Sequence, residues 1–282
     1  MKEKNLLMNL LNTKESQNYA FEILKFITAI CEDQNIKYFL IWGTLIGAVR
    51  HSGFIPWDDD IDICMPRNDY NRFIKYMESM KSNRYKLYIE GKSKNYYLSL
   101  PRVVDTKTVV IGERKENENQ LDCGIFVDIY PLDFVGSTKK ECESYFKKQI
   151  KYEWLKGLSQ QKSFVKSKSN AINTIIKIPF YLYSRIKGPD YFYEKMEKLA
   201  NLKHSIENDY CCSCYGTGGM NYKKLIFKSN LFGEGRECMF NGCSFIIPIG
   251  YDDILKQVYG DYMKLPPVHE RVGHHEYKAY KL

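Results

Sequence analysis

Apolar residues recur at helical spacing from Lys14 to Asn35, where Ile23, Phe26, Ile27 and Ile30 share a face and Thr13 stands as N-cap. Tyr38-Phe39-Leu40-Ile41 is a short apolar run that ends near Gly43 and is followed by Leu45, Ile46, Ala48 and Val49, the pattern of strand, tight turn and short helix. Between Asp60 and Met65 the period changes to two, so Asp60 and Asp62 fall on one strand face and Ile61 and Ile63 on the other. Asp69 to Met80 returns to helical spacing, with Tyr70, Phe73, Ile74 and Met77 inward. Further strands are expected at Tyr85 to Ile89, Tyr97 to Val104, Thr108 to Ile111 and Gly124 to Tyr130, and Arg114 to Gln120 has the composition of a loop. Beyond Lys139 the pattern is a helix to about Ser159, a Ser/Lys-rich connection and an apolar stretch from Ile172 to Ile186. A strand pair between Glu237 and Pro248 and a helix over Tyr251 to Tyr259 follow.

These elements describe an α/β chain of the α+β type, with one domain over residues 14–265, a core at about 36–135, a helical and β-hairpin elaboration at 136–265, and a polar tail at 266–282. With 282 residues, 44% of them hydrophobic, the chain can bury a sizeable core. The net charge of +8 is unevenly placed, because Lys139 to Lys187 carries 12 basic residues against 3 acidic ones. That block is suited to an anionic lipid or polymer and matches no DNA or RNA module, so nucleic acid is not an expected partner. Its proximity to the apolar stretch suggests peripheral contact with an inner membrane face. Nine cysteines without regular spacing give no disulfide framework, and no small-residue cleavage site follows Leu6-Leu7-Met8, so a cytoplasmic location is expected.

Four acids in five positions, Asp58, Asp59, Asp60 and Asp62, repel one another unless a cation compensates. An EF-hand loop beginning at Asp58 would need Gly and Glu where Ile63 and Asp69 stand, and is excluded. Carboxylates one residue apart on a strand suit Mg²⁺ or Mn²⁺, which accept hard oxygen ligands and leave positions for phosphate oxygens. Asp128, alternating with Val127 and Ile129, is the candidate third carboxylate. A Gly43-Thr44 turn at a helix N-terminus would let backbone approach a phosphate, with the Thr44 hydroxyl as a donor and Arg50 one to two turns later as a phosphate contact. His51 reads as a loop residue.

The run from Tyr38 to His51, with Gly53-Phe54-Ile55-Pro56-Trp57-Asp58-Asp59-Asp60-Ile61-Asp62, resembles the signature of the LicD family. The resemblance continues through Gly124 to Asp133 and returns at Tyr259 to Pro267. It implies a nucleotidyltransferase-like mixed sheet flanked by helices. It also implies transfer of phosphocholine or a similar phospho-substituent from a CDP-activated donor, such as CDP-choline, to a hydroxyl of a cell-surface glycan or its lipid-linked precursor. On this sequence the implied catalytic acids are Asp60, Asp62 and Asp128, joined at the metal by Asp58. The implied substrate contacts are Gly43, Thr44, Arg50, Trp57 and Arg102, the last at a family basic position. A glycosyltransferase using a nucleotide sugar, and a relative that only binds nucleotide or metal, are the rival readings.

Weaker signals take ordinary readings. Cys211, Cys214, Cys238 and Cys243 do not have the spacing of a zinc finger and are read as plain thiols. Gly216-Thr217-Gly218-Gly219 lacks the lysine of a P-loop and is read as a turn. His269, His274 and His275 are read as solvated tail residues.

Overall fold

The structure is a computed structural model that describes residues 9–112, 123–166, 171–201, 208–215, 221–273 and 277–282. The Arg114 to Gln120 loop, the run from Gly216 to Gly219, and His274 and His275 lie outside the described residues.

In chain order the elements are β1 (Asn9–Leu10), α1 (Thr13–Asp33), β2 (Phe39–Leu40), α2 (Trp42–His51), β3 (Asp62–Pro66), α3 (Arg67–Ser79), β4 (Tyr85–Tyr88), β5 (Arg102–Asp105), β6 (Thr108–Gly112) and β7 (Phe126–Phe134). There follow α4 (Lys139–Gln160), α5 (Ala171–Asn201), β8 (Tyr210–Cys212), β9 (Ile226–Lys228), β10 (Arg236–Phe240), β11 (Cys243–Ile247), α6 (Tyr251–Tyr259) and β12 (Tyr277–Lys281). The central sheet has the order β2-β3-β7-β5-β4, with β8 joined to β7 and β9 to β8. Among the described residues only β3 and β7 run parallel in it, so the sheet is mixed, consistent with the nucleotidyltransferase-like expectation. Ala20, Ile23, Leu24, Ile27 and Ile30 of α1 bury their stripe in the core with Val103, Val127 and Ile129 of the sheet.

Several boundaries differ from the expectations, for identifiable reasons. Helix α1 is capped by Asn12, whose side chain accepts from the Glu15 amide while Glu15 reaches back, so Thr13 is the first helical residue. Asp60 precedes β3 in a loop, and only Asp62 is in the strand. The strand expected from Tyr97 begins at Arg102, because Pro101 offers no N–H and Tyr96 is held instead by its hydroxyl donating to the Leu100 carbonyl at 2.5 Å. Strand β7 runs through Pro131 to Phe134, since the register of β5 ends at Asp128 and Pro131 owes that neighbour no bond. His51 is the last residue of α2 and not a loop residue. Residues 277–281, expected in the tail, form β12, which pairs with both β1 and β6.

Candidate active site

The site is built on a register. Asp62 on β3 is the partner of Asp128 on β7, and Asp128 is the partner of Arg102 on β5, so three charged residues stand in one row across adjacent strands. All three are buried. One oxygen from each of Asp60, Asp62 and Asp128 lies within 4.8 Å of the others, and Asp58, Asp59 and Asp60 form a second group of the same size. The structure therefore brings together Asp60, Asp62 and Asp128, three of the four acids expected at a metal, and joins Asp58 to them through Asp60.

The acidic loop is held from behind. The Asp58 amide donates to the Ile55 carbonyl at 3.0 Å, and Gln17 of α1 donates to the carbonyls of Ile55 and Asp58 at 3.3 and 2.8 Å. Helix α2 starts at Trp42, whose φ of +51° lies in the left-handed region. That turn directs the first turn of α2 at the loop. A Cβ on Gly43 would sit 2.8 Å from Oδ2 of Asp58, so the glycine makes room for that carboxylate beside the helix N-terminus, where negative charge is favoured.

Thr44 is placed differently from the expectation. Its hydroxyl accepts the Asp62 amide at 2.8 Å, fastening α2 to the first residue of β3, and it does not line the cleft. Arg102 likewise is not in the cleft lining. Its Nε and Nη2 donate to the two carboxylate oxygens of Asp128 at 2.6 and 3.2 Å, and its guanidinium lies over the Phe126 ring. A bidentate grip on Asp128 occupies the fork expected to hold a phosphate.

A cleft of about 890 Å³ opens in front of the acids, a volume suited to a nucleotide-sized ligand. Of the candidate site residues, Gly43, Arg50, Trp57, Asp58, Asp60 and Asp62 line it, and Thr44, Arg102 and Asp128 do not. Arg50 donates to the Tyr262 carbonyl and to Nε2 of His51 at 3.0 Å, which turns it into the cleft wall. Arg271 lies over the Trp57 ring at 5.6 Å and donates to the Pro266 carbonyl at 2.9 Å.

The sequence reading missed the aromatic part of the lining. Trp42, Tyr130, Tyr215, Tyr259 and Tyr262 all face the cleft, and Trp42 meets Tyr130 edge-on with ring centres 6.0 Å apart. Trp42, Tyr130, Tyr259 and Tyr262 lie in segments noted for the resemblance but given no role there, and Tyr259 to Pro267 supplies much of the lining. Tyr259 keeps its proton, because desolvation of its hydroxyl end and the nearby Asp62, Asp58 and Asp60 push the phenol well above its usual range.

The electrostatics of the cluster favour a cation. Burial, then Asp60, Asp128 and Asp58, raise the Asp62 carboxyl well above the ordinary carboxylate range, and Arg102 only partly opposes them. Oδ1 of Asp62 is buried without a hydrogen-bond partner. A buried carboxylate oxygen of this kind, aimed among other carboxylates, fits a hard divalent ion.

Comparison with known proteins follows the same lines. The sequence model of the LicD/FKTN/FKRP nucleotidyltransferase domain matches residues 35–180. The chain is 32% identical to the lipopolysaccharide cholinephosphotransferase LicD of Haemophilus influenzae over 283 residues, covering 98% of this chain and 100% of that one. It is 38% identical over 42 residues to the mouse ribitol 5-phosphate transferase FKRP, a match covering 15% of this chain and 8% of FKRP. An uncharacterised Rickettsia typhi protein is 32% identical over 114 residues, 40% of this chain and 34% of its own length.

Proposed function

The chain belongs to the LicD family and is a transferase of substituted phosphate groups, and from that premise we propose that it moves phosphocholine or a close analogue from a CDP-activated donor to a hydroxyl of a glycan. The observation that carries the reading is the cluster of Asp60, Asp62 and Asp128, in which Asp60 and Asp62 line an aromatic cleft and Asp128 stands in register beside Asp62. Asp58, Asp60, Asp62 and Asp128 would hold Mg²⁺ or Mn²⁺ there. Such an ion, when bound, neutralises charge on the donor phosphates.

The protein's own residues supply the remainder. In the transfer, the acceptor oxygen forms a bond to the donor's substituted phosphorus, the phosphoanhydride bond breaks, and CMP leaves. A carboxylate of the cluster takes the acceptor's proton. Arg50, in the cleft wall, is placed to meet phosphate oxygens, and Trp57 to cover a base or head group. The tyrosines of the opposite wall offer faces to a quaternary ammonium, while the acids add negative charge. The backbone ties from Gln17, and the one from Thr44 to the Asp62 amide, hold the acids in place, which is the preorganisation that electrostatic catalysis needs.

The test is product analysis. Purified protein with Mg²⁺ is incubated with CDP-choline, other CDP-activated alcohols and nucleotide sugars, together with a glycan extract. CMP released above an Asp60→Asn control is the expected result and identifies the donor. Release of CDP or UDP from a nucleotide sugar would replace the reading with glycosyl transfer.

A further inference from the structure

The first half of α5 is turned inside out. Ile172, Ile175, Ile176, Leu182, Tyr183 and Ile186 follow the i, i+3, i+4 spacing of a single helix stripe, yet every one is exposed, Ile186 to 81%, Ile172 to 67% and Ile175 to 66%. The opposite face is the one that packs inward. Ser184 is buried, the Tyr181 ring meets Phe164 edge-on at 5.2 Å, and Lys177 donates to the Val165 carbonyl at 2.7 Å. Arg185 donates to the Ser159 carbonyl at 2.9 Å. These bonds set the rotation of the helix and leave the aliphatic stripe facing out.

The surroundings identify the occupant. Lys162 and Lys166 on the preceding connection and Lys187 at the end of the stripe are exposed, Lys166 lines a hollow with Ile176, and all three lie in the segment that holds 12 basic against 3 acidic residues. Trp154 and Phe180 form an exposed edge-to-face pair, ring centres 5.4 Å apart, beside a shallow hollow of about 500 Å³ that Lys166 and Lys177 also line. An apolar stripe with aromatic and basic residues at its margins is the composition of a helix lying in the surface of an anionic bilayer. A second copy on the same face would set two strongly basic surfaces against each other. Spanning is excluded for this helix: its regular geometry breaks at Gly188, with φ of +77°, and no described helix is long and apolar enough to cross a membrane.

We infer that the Ile172–Ile186 face of α5 docks the protein on a membrane surface rich in anionic lipid. The inference is independent of the chemistry assigned to the cleft. It is tested by co-sedimentation of the full chain with vesicles of pure phosphatidylcholine and with equimolar phosphatidylcholine and phosphatidylglycerol. The expected result is binding to the anionic vesicles only, weakened by salt and by about ten-fold or more in the Ile175→Asp/Ile186→Asp double variant, whose substitutions lie on the surface. Trp154 emission should shift to the blue on binding, and that shift should be missing in Trp154→Phe. Equal binding by the double variant, or no binding to anionic vesicles, would overturn the inference. So would a lipid-free dimer that the double variant turns into a monomer, since a second copy would then be the occupant.

Discussion

Arg102 grips both carboxylate oxygens of Asp128, at 2.6 and 3.2 Å, from the neighbouring strand, and is not among the residues that line the cleft. The pair is buried, so removing the cation leaves a negative charge in a site already crowded with acids. Arg102→Met is expected to destabilise the fold by about 3–5 kcal/mol, the cost of an orphaned buried charge. Arg102→Lys, which keeps the charge and loses the fork, should cost less. Urea denaturation with Michaelis kinetics on the surviving variants decides the role: a raised KM with unchanged stability would instead mean that Arg102 binds donor phosphate.

Asp62 gives the opposite sign. Its folded pKa is raised by burial and by Asp60, Asp128 and Asp58, so the folded state holds that proton more tightly than the unfolded chain. The associated stability is present at low pH and is lost as pH rises from the ordinary carboxylate value of about 4 through the raised value. Asp62→Asn removes this loss. Without added metal the variant should melt at a higher temperature than the parent at neutral pH, and the gap should close toward pH 4. Transfer activity should be abolished. Thermal scans across pH check the first expectation, and the same scans with Mg²⁺ should show the parent rising while the variant hardly moves.

Gly43 and Thr44 separate two roles that the sequence reading merged. In Gly43→Ala the new methyl meets Asp58 Oδ2 at 2.8 Å, so the carboxylate has to move and activity should fall by about 10–100-fold with little loss of stability. Thr44→Val leaves the buried Asp62 amide without its acceptor and should cost about 1–3 kcal/mol of stability as well as activity. Thr44→Ser keeps the hydroxyl and should restore both. Paired melting and turnover measurements distinguish the patterns.

A second buried ion pair lies behind the cleft wall, against Tyr215. Arg67 of α3 donates to Asp133 of β7 at 2.7 and 3.1 Å, Tyr145 of α4 donates to the same carboxylate at 2.7 Å, and the guanidinium faces the Tyr70 and Tyr215 rings. Arg67→Met should destabilise by about 3–5 kcal/mol, read by urea denaturation.

Much of this molecule was determined locally. The helical stripes of α1 and α3, the hairpin of β10 and β11 and the span of α6 follow from hydrophobic period, because each buries one face, whereas β3 and β7 alternate in sequence yet are buried on both faces. The acids were legible for a different reason: clustered carboxylates are too costly to stand without purpose. What the sequence could not determine is which groups satisfy one another. Arg102 and Asp128 are 26 positions apart and become partners only through the register of β5 on β7. The tyrosine wall of the cleft and the tail strand β12 come from distant segments whose spacing carries no periodic signal. The outward turn of α5 belongs to the same class, since an apolar stripe looks the same in sequence whether it faces a core or the exterior. Only the packing of the opposite face decides, because polar groups such as Lys177 and Arg185 find their carbonyl acceptors there and fix the helix's rotation.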